Sequence, residues 1–110
     1  MSKHTAQIDD NESVLITSVS RGTEMDAYEI TVFVTGGFGG GTTTIQASPD
    51  GGTTKVTLKD VAGNVVSITE DDVYNIRLGY AGKLGEEIEI YATMAGATAP
   101  AVNIAAFDNR

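Results

Sequence analysis

Cysteine and tryptophan are absent from this 110-residue chain, histidine occurs once, and only two prolines interrupt it. Without cysteine there is no disulfide framework, no thiolate metal site and no cysteine nucleophile. With a single histidine, His4, near the start, a multi-histidine metal centre is excluded, and a Ser/His/Asp triad would have to recruit its base from the N-terminus. Basic residues are also scarce: seven Lys and Arg face fifteen Asp and Glu, a net charge of −8. That balance opposes binding to a phosphate backbone, so nucleic acid is not an expected partner. No run approaches the eighteen or more apolar residues of a membrane-spanning helix, and Met1 to Thr5 lead into no apolar signal-peptide core. A soluble protein made in the cytosol is the expectation.

Glycine and threonine are plentiful, and the chain is long enough for one domain with a packed core. Residues 1–12 are polar and without apolar period, and are expected to form a flexible N-terminal arm, or one ordered by a neighbour. Residues 13–110 are expected to form the folded domain. Tyr28, Ile30, Val32 and Val34 alternate with Glu29, Thr31, Phe33 and Thr35, which is period two over eight residues. A core strand follows from that alternation, with Phe33 on its polar face. Thr42 to Ala47 and Lys55 to Leu58 flank Ser48-Pro49-Asp50-Gly51-Gly52-Thr53-Thr54, where Pro49 presets φ, Asp50 can bond the backbone beyond it, and the glycines tolerate positive φ. This pattern predicts a hairpin.

Further strands are expected at 13–19, with Val14, Ile16 and Ser18 on one face, and at 65–68, 73–78, 86–93 and 102–107. Thr69-Glu70-Asp71-Asp72 suits one capped helical turn. Turn signals recur every eight to twelve residues, so the fold class is all-β: an antiparallel β-sandwich of about eight short strands, Ig-like or jelly-roll.

Chemistry is harder to find. Gly36 to Gly41 is not followed by Lys-Ser or Lys-Thr and leads into a strand, so it reads as a connection and not as a phosphate loop. Asp50, Asp60, Glu70, Asp71 and Asp72 lack the spacing of a calcium loop. Glu87 and Glu89, two apart on one strand, are adjacent in any strand and indicate little. The reading is a non-enzymatic protein with no catalytic residue, no metal site and no cofactor. Aromatic residues on outer faces and loops, Phe33, Phe38, Tyr80 and Tyr91, are the candidates for recognition, together with Ser2, Lys3 and His4 of the arm.

The run Val32-Phe33-Val34-Thr35-Gly36-Gly37-Phe38-Gly39-Gly40, leading into Thr44 to Thr54, the Val61 to Val66 segment around a glycine, and Ala95-Gly96-Ala97-Thr98 before a last apolar strand resemble small β-sandwich structural proteins of tailed bacteriophage virions. The resemblance covers about Tyr28 to Phe107. It implies a virion component made in the host bacterial cytoplasm, whose partners are the major capsid protein or other virion proteins. Within that class a capsid cement or decoration protein, a homo-oligomer and preferably a trimer, is expected ahead of a neck or tail protein. The alternative from another class is a carbohydrate- or receptor-binding β-sandwich module, against which the missing tryptophan counts.

Overall fold

The computed structural model describes residues 2–20, 28–60, 62–79 and 87–108, and among these residues all regular structure is β. Nine strands form: β1 (Ser2–Ile8), β2 (Ser13–Ser20), β3 (Tyr28–Gly37), β4 (Thr42–Ser48), β5 (Val56–Thr57), β6 (Ser67–Ile68), β7 (Asp72–Gly79), β8 (Glu87–Ala95) and β9 (Ala101–Asp108). Every pairing is antiparallel, in two sheets: β1-β9-β3-β7, and β2-β8-β4-β5 with β6 also on β4.

The chain passes to the other sheet at every connection except those joining β4, β5 and β6. β5 pairs with the end of β4 at Gln46 and Ala47, β6 with its start at Thr43 and Thr44. They are two halves of one edge strand, split by a small hairpin in which Lys59 bridges Val65. Counted as one, they leave eight strands in the order of a jelly roll, so topology selects that member of the expected sandwich class.

Period-two side chains build the core. Ile30, Val32 and Val34 of β3, with Ile104 and Ala106 of β9 beside them, face Ile45 of β4 and Ile90 and Ala92 of β8 in one buried cluster. The expected alternation is observed in β3 and β8, the expected last strand forms as β9 and alternates likewise, and the predicted hairpin forms between β4 and β5. In β2 the register shifts between Leu15 and Thr17, so that Ile16 and Thr17 are both buried and Ser18 is exposed. The bulge overturns the expectation that Val14, Ile16 and Ser18 share a face.

Three further expectations are corrected. Residues 2–8, assigned to a flexible arm, form β1, paired with β9 over its whole length. His4, Ala6 and Ile8 turn toward the other sheet, with Ile8 fully buried, while Lys3, Thr5 and Gln7 point out. The following loop is fastened too: Asn11 donates from Nδ2 to the Ala97 carbonyl and accepts from the Ala97 N–H, at 2.9 and 2.8 Å. No helical turn forms at residues 69–72. Asp71 instead accepts from the Gly36 N–H at 2.9 Å, and Asp72 opens β7.

Phe38 is not at the surface. Only 7% exposed, it belongs to the core cluster, because the turn closed by the Gly41 N–H on the Phe38 carbonyl folds the ring inward. Phe38→Ala should therefore destabilise the isolated protein by about 3–5 kcal/mol, the usual cost of emptying a buried aromatic site. Urea unfolding checks this, and an unchanged midpoint would return Phe38 to the surface.

Candidate interaction surface

The outer faces of the two sheets differ in how their polar side chains are bonded: on the five-stranded sheet they form one connected chain, whereas on the four-stranded sheet Thr31 Oγ1 donates to Asn75 Oδ1 at 2.8 Å and Thr5, Gln7, Thr35 and Asn103 stay open. On the five-stranded sheet, Lys55 Nζ donates to Ser13 Oγ at 3.1 Å, and Ser13 Oγ lies 2.9 Å from Thr93 Oγ1. Thr93 Oγ1 donates to Gln46 Oε1 at 2.7 Å, so the Ser13 hydroxyl supplies the proton in the preceding link. Gln46 Nε2 continues the chain to Thr57 Oγ1 at 3.5 Å.

The turn after β4 closes over this face. Ser48 Oγ donates to Asp50 Oδ1 at 2.9 Å and accepts from the Gly52 N–H at 2.8 Å, while Asp50 Oδ1 also accepts from the Thr54 N–H at 2.8 Å. Gly51 and Gly52 take the expected positive φ, 75° and 97°. Lys55 is thereby placed over the Tyr91 ring, 4.7 Å from its centroid. Tyr91, a candidate for partner contact, is half-buried under its own chain. Its hydroxyl is held above the ordinary phenol range by loss of surrounding water and then by the Glu89 carboxylate.

The Asp50 carboxyl is held below the ordinary range, chiefly by the Thr54 N–H and then by the Thr54 and Ser48 side chains. A folded-state pKa below the unfolded one contributes stability above the unfolded pKa and loses it as pH falls through the folded value. Asp50→Asn should melt below the wild type at neutral pH, and the gap should close as pH drops below the usual aspartate range. A gap independent of pH in thermal melts would refute the assignment.

On the four-stranded sheet the register lays out a lattice. Gln7, Asn103 and Thr35 form one row across β1, β9 and β3; Thr5, Ala105, Phe33 and Val73 form the next across β1, β9, β3 and β7; Lys3, Phe107, Thr31 and Asn75 form the third. Ala105, the smallest side chain of the nine in the first three columns, sits at the centre. The result is an open groove of about 480 Å³, floored by Ala105 and rimmed by Lys3, Thr5, Gln7, Phe33, Thr35 and Asn103. Phe33 is 41% exposed and meets the Phe107 ring edge-on, centroids 5.7 Å apart, with Lys3 Nζ 5.8 Å from the Phe107 centroid.

Of the residues named from sequence, Lys3 and Phe33 come together in this groove. His4 lies on the opposite face of β1, half-buried, and Ser2 enters through its backbone pairing with Asp108. Tyr80 lies outside the described residues, as does the side chain of Glu87. Thr5, Gln7, Thr35, Asn103 and Ala105 were not singled out. The alternation Lys3, Thr5, Gln7 against Ala6 and Ile8 was the available signal, hidden because the segment was read as an arm.

Four of the acidic residues considered for calcium serve the backbone: beside Asp50 and Asp71, Asp60 Oδ1 accepts from the Ala62 and Asn64 N–H groups at 2.9 and 3.0 Å, and Asp72 Oδ1 from the Val73 N–H at 2.8 Å. No group of three or more His, Cys, Asp or Glu among the described residues is placed to hold a metal ion. The glycine segment likewise has its amides in use, at Gly36 and Gly41. A second exposed feature lies at the split edge strand, where Val56 is 61% and Val65 55% exposed.

No protein-family model and no curated protein sequence matches the chain. Solved structures share the fold. PirA superposes with a TM-score of 0.57 at 11% identity, over 97% of this chain and 93% of that one. The SPBc2 prophage-derived protein YomS gives 0.52 at 8% identity, over 99% and 96%. TmCBM61, solved with β-1,4-galactotriose, gives 0.50 at 14% identity, over 96% of this chain and 70% of that one.

Proposed function

We propose that this chain is a non-enzymatic structural protein of a bacteriophage virion, and within that class a cement or decoration protein of the head shell. The observation that carries the reading is the jelly-roll order of its strands, an architecture used repeatedly in viral shells. Likeness in fold to a prophage-derived protein supports it, as does the virion-protein resemblance of residues 28–107. The acidic surface suits a protein that stays clear of packaged DNA.

Val56 and Val65 supply the contact. Val56 on the split edge strand and Val65 in the hairpin that splits it are more than half exposed in the isolated chain, and an assembled shell would cover them. A subunit that binds the assembled shell and not its free components stabilises the shell by linkage. Function of this kind needs no catalytic group.

The test is cosedimentation of the purified protein with shells of its phage, with its native mass measured by light scattering. Binding to shells, and a trimeric mass, are expected. A protein that stays in the supernatant at saturating shell concentration refutes the cement assignment and leaves the neck and tail positions.

A further inference from the structure

The groove on the four-stranded sheet has a composition that the shell contact does not use. Thr5, Gln7, Thr35 and Asn103 line it, and among the described residues none of the four side chains makes a hydrogen bond, whereas the opposite face carries its polar groups in one continuous chain from Lys55 to Thr57. Two carboxamides and two hydroxyls offer donors and acceptors side by side, which is what a ligand covered in hydroxyl groups requires. Phe33 adds an exposed apolar ring against which the C–H face of a sugar can pack. In a chain of net charge −8 the lining contains no carboxylate, and its one charged group is Lys3.

We infer that this groove is a saccharide-binding site, with Asn103 and Gln7 bonding sugar hydroxyls, Phe33 packing on a ring face and Lys3 at the end where an acidic substituent would lie. Three adjacent strands, about 4.8 Å apart, carry the row Gln7, Asn103 and Thr35. The row thus spans more than one sugar ring, and a short oligosaccharide fits better than a monosaccharide. The volume of about 480 Å³ lies within the usual range for small-molecule sites. Ala105 makes this possible by leaving the centre of the lattice low.

The inference is independent of the virion reading, since neither Val56 nor Val65 lines the groove. It is tested on the isolated protein, without shells. Side-chain amide resonances of Gln7 and Asn103 would be followed by NMR while cellotriose, chitotriose, galactotriose and trigalacturonate are added separately to 20 mM. At least one should shift both amides saturably, and Asn103→Ala and Phe33→Ala should each weaken that binding tenfold or more while leaving the backbone spectrum folded.

Salt should weaken trigalacturonate binding, and Lys3→Gln should remove that salt dependence. No saturable shift with any of the four probes overturns the inference. So does binding that survives both Asn103→Ala and Phe33→Ala, because the sugar would then sit elsewhere.

Discussion

Gly36→Val should cost about 3 kcal/mol or more and lower the melting temperature by about 12 °C. Gly36 has φ of 127°, a region that side-chain-bearing residues rarely adopt, and a Cβ built there would sit well inside van der Waals contact distance of the Ala101 carbonyl oxygen. That oxygen cannot move away, because β3 and β9 are paired through Gly36 opposite Val102 and Gly37 opposite Ala101. The Gly36 N–H is also tied to Asp71, so relieving the clash by rotation would break a second contact. Gly37 is the internal control: a Cβ there meets nothing within 4 Å, and Gly37→Ala should change stability by less than about 0.5 kcal/mol. Thermal melts of the two variants beside the wild type decide the matter, and equal melting for Gly36→Val would show that the β3 end is not held as described.

Val56→Asp combined with Val65→Asp should reduce shell binding by about a hundredfold with the fold intact. Burying a valine stabilises by about 1.5 kcal/mol or more, so two of them represent about 3 kcal/mol, and each 1.4 kcal/mol is a factor of ten in affinity. Both side chains are exposed, and replacing them removes no core contact. The measurement is a cosedimentation isotherm for wild type and double variant, with a circular dichroism melt to confirm folding. Unchanged affinity would move the shell contact elsewhere on the surface, and the arm-derived strand β1 would be next to examine.

These two experiments probe features of different visibility in the sequence. The turn at Ser48 to Thr54 was legible because Pro49, Asp50, Gly51 and Gly52 each act within a few residues of themselves. The same holds for β3, β8 and β9, whose alternation is local. Locality also explains the failures. β1 looked like an arm because a strand with three polar outward residues becomes recognisable only through its partner, and that partner, β9, lies at the other end of the chain. Phe38 and Tyr91 looked free because an aromatic in a loop can turn in and one on an outer strand face can be covered, and in each case a turn decides it.

The candidate groove shows the division most clearly. Phe33 was visible as an aromatic on the polar side of a strand, and Lys3 as a charge near the N-terminus. Their meeting around Ala105, with Gln7, Asn103 and Thr35 in a row, depends on β1 and β3 both pairing with β9. By itself the sequence determined the all-β class, the hairpin, most core strands and the acidic character, since these rest on period, turn chemistry and composition. Tertiary structure alone decided the jelly-roll order, the bulge in β2, the burial of Phe38 and the groove, because each depends on which distant strands share hydrogen bonds, and a two-residue period is the same whichever neighbour a strand takes.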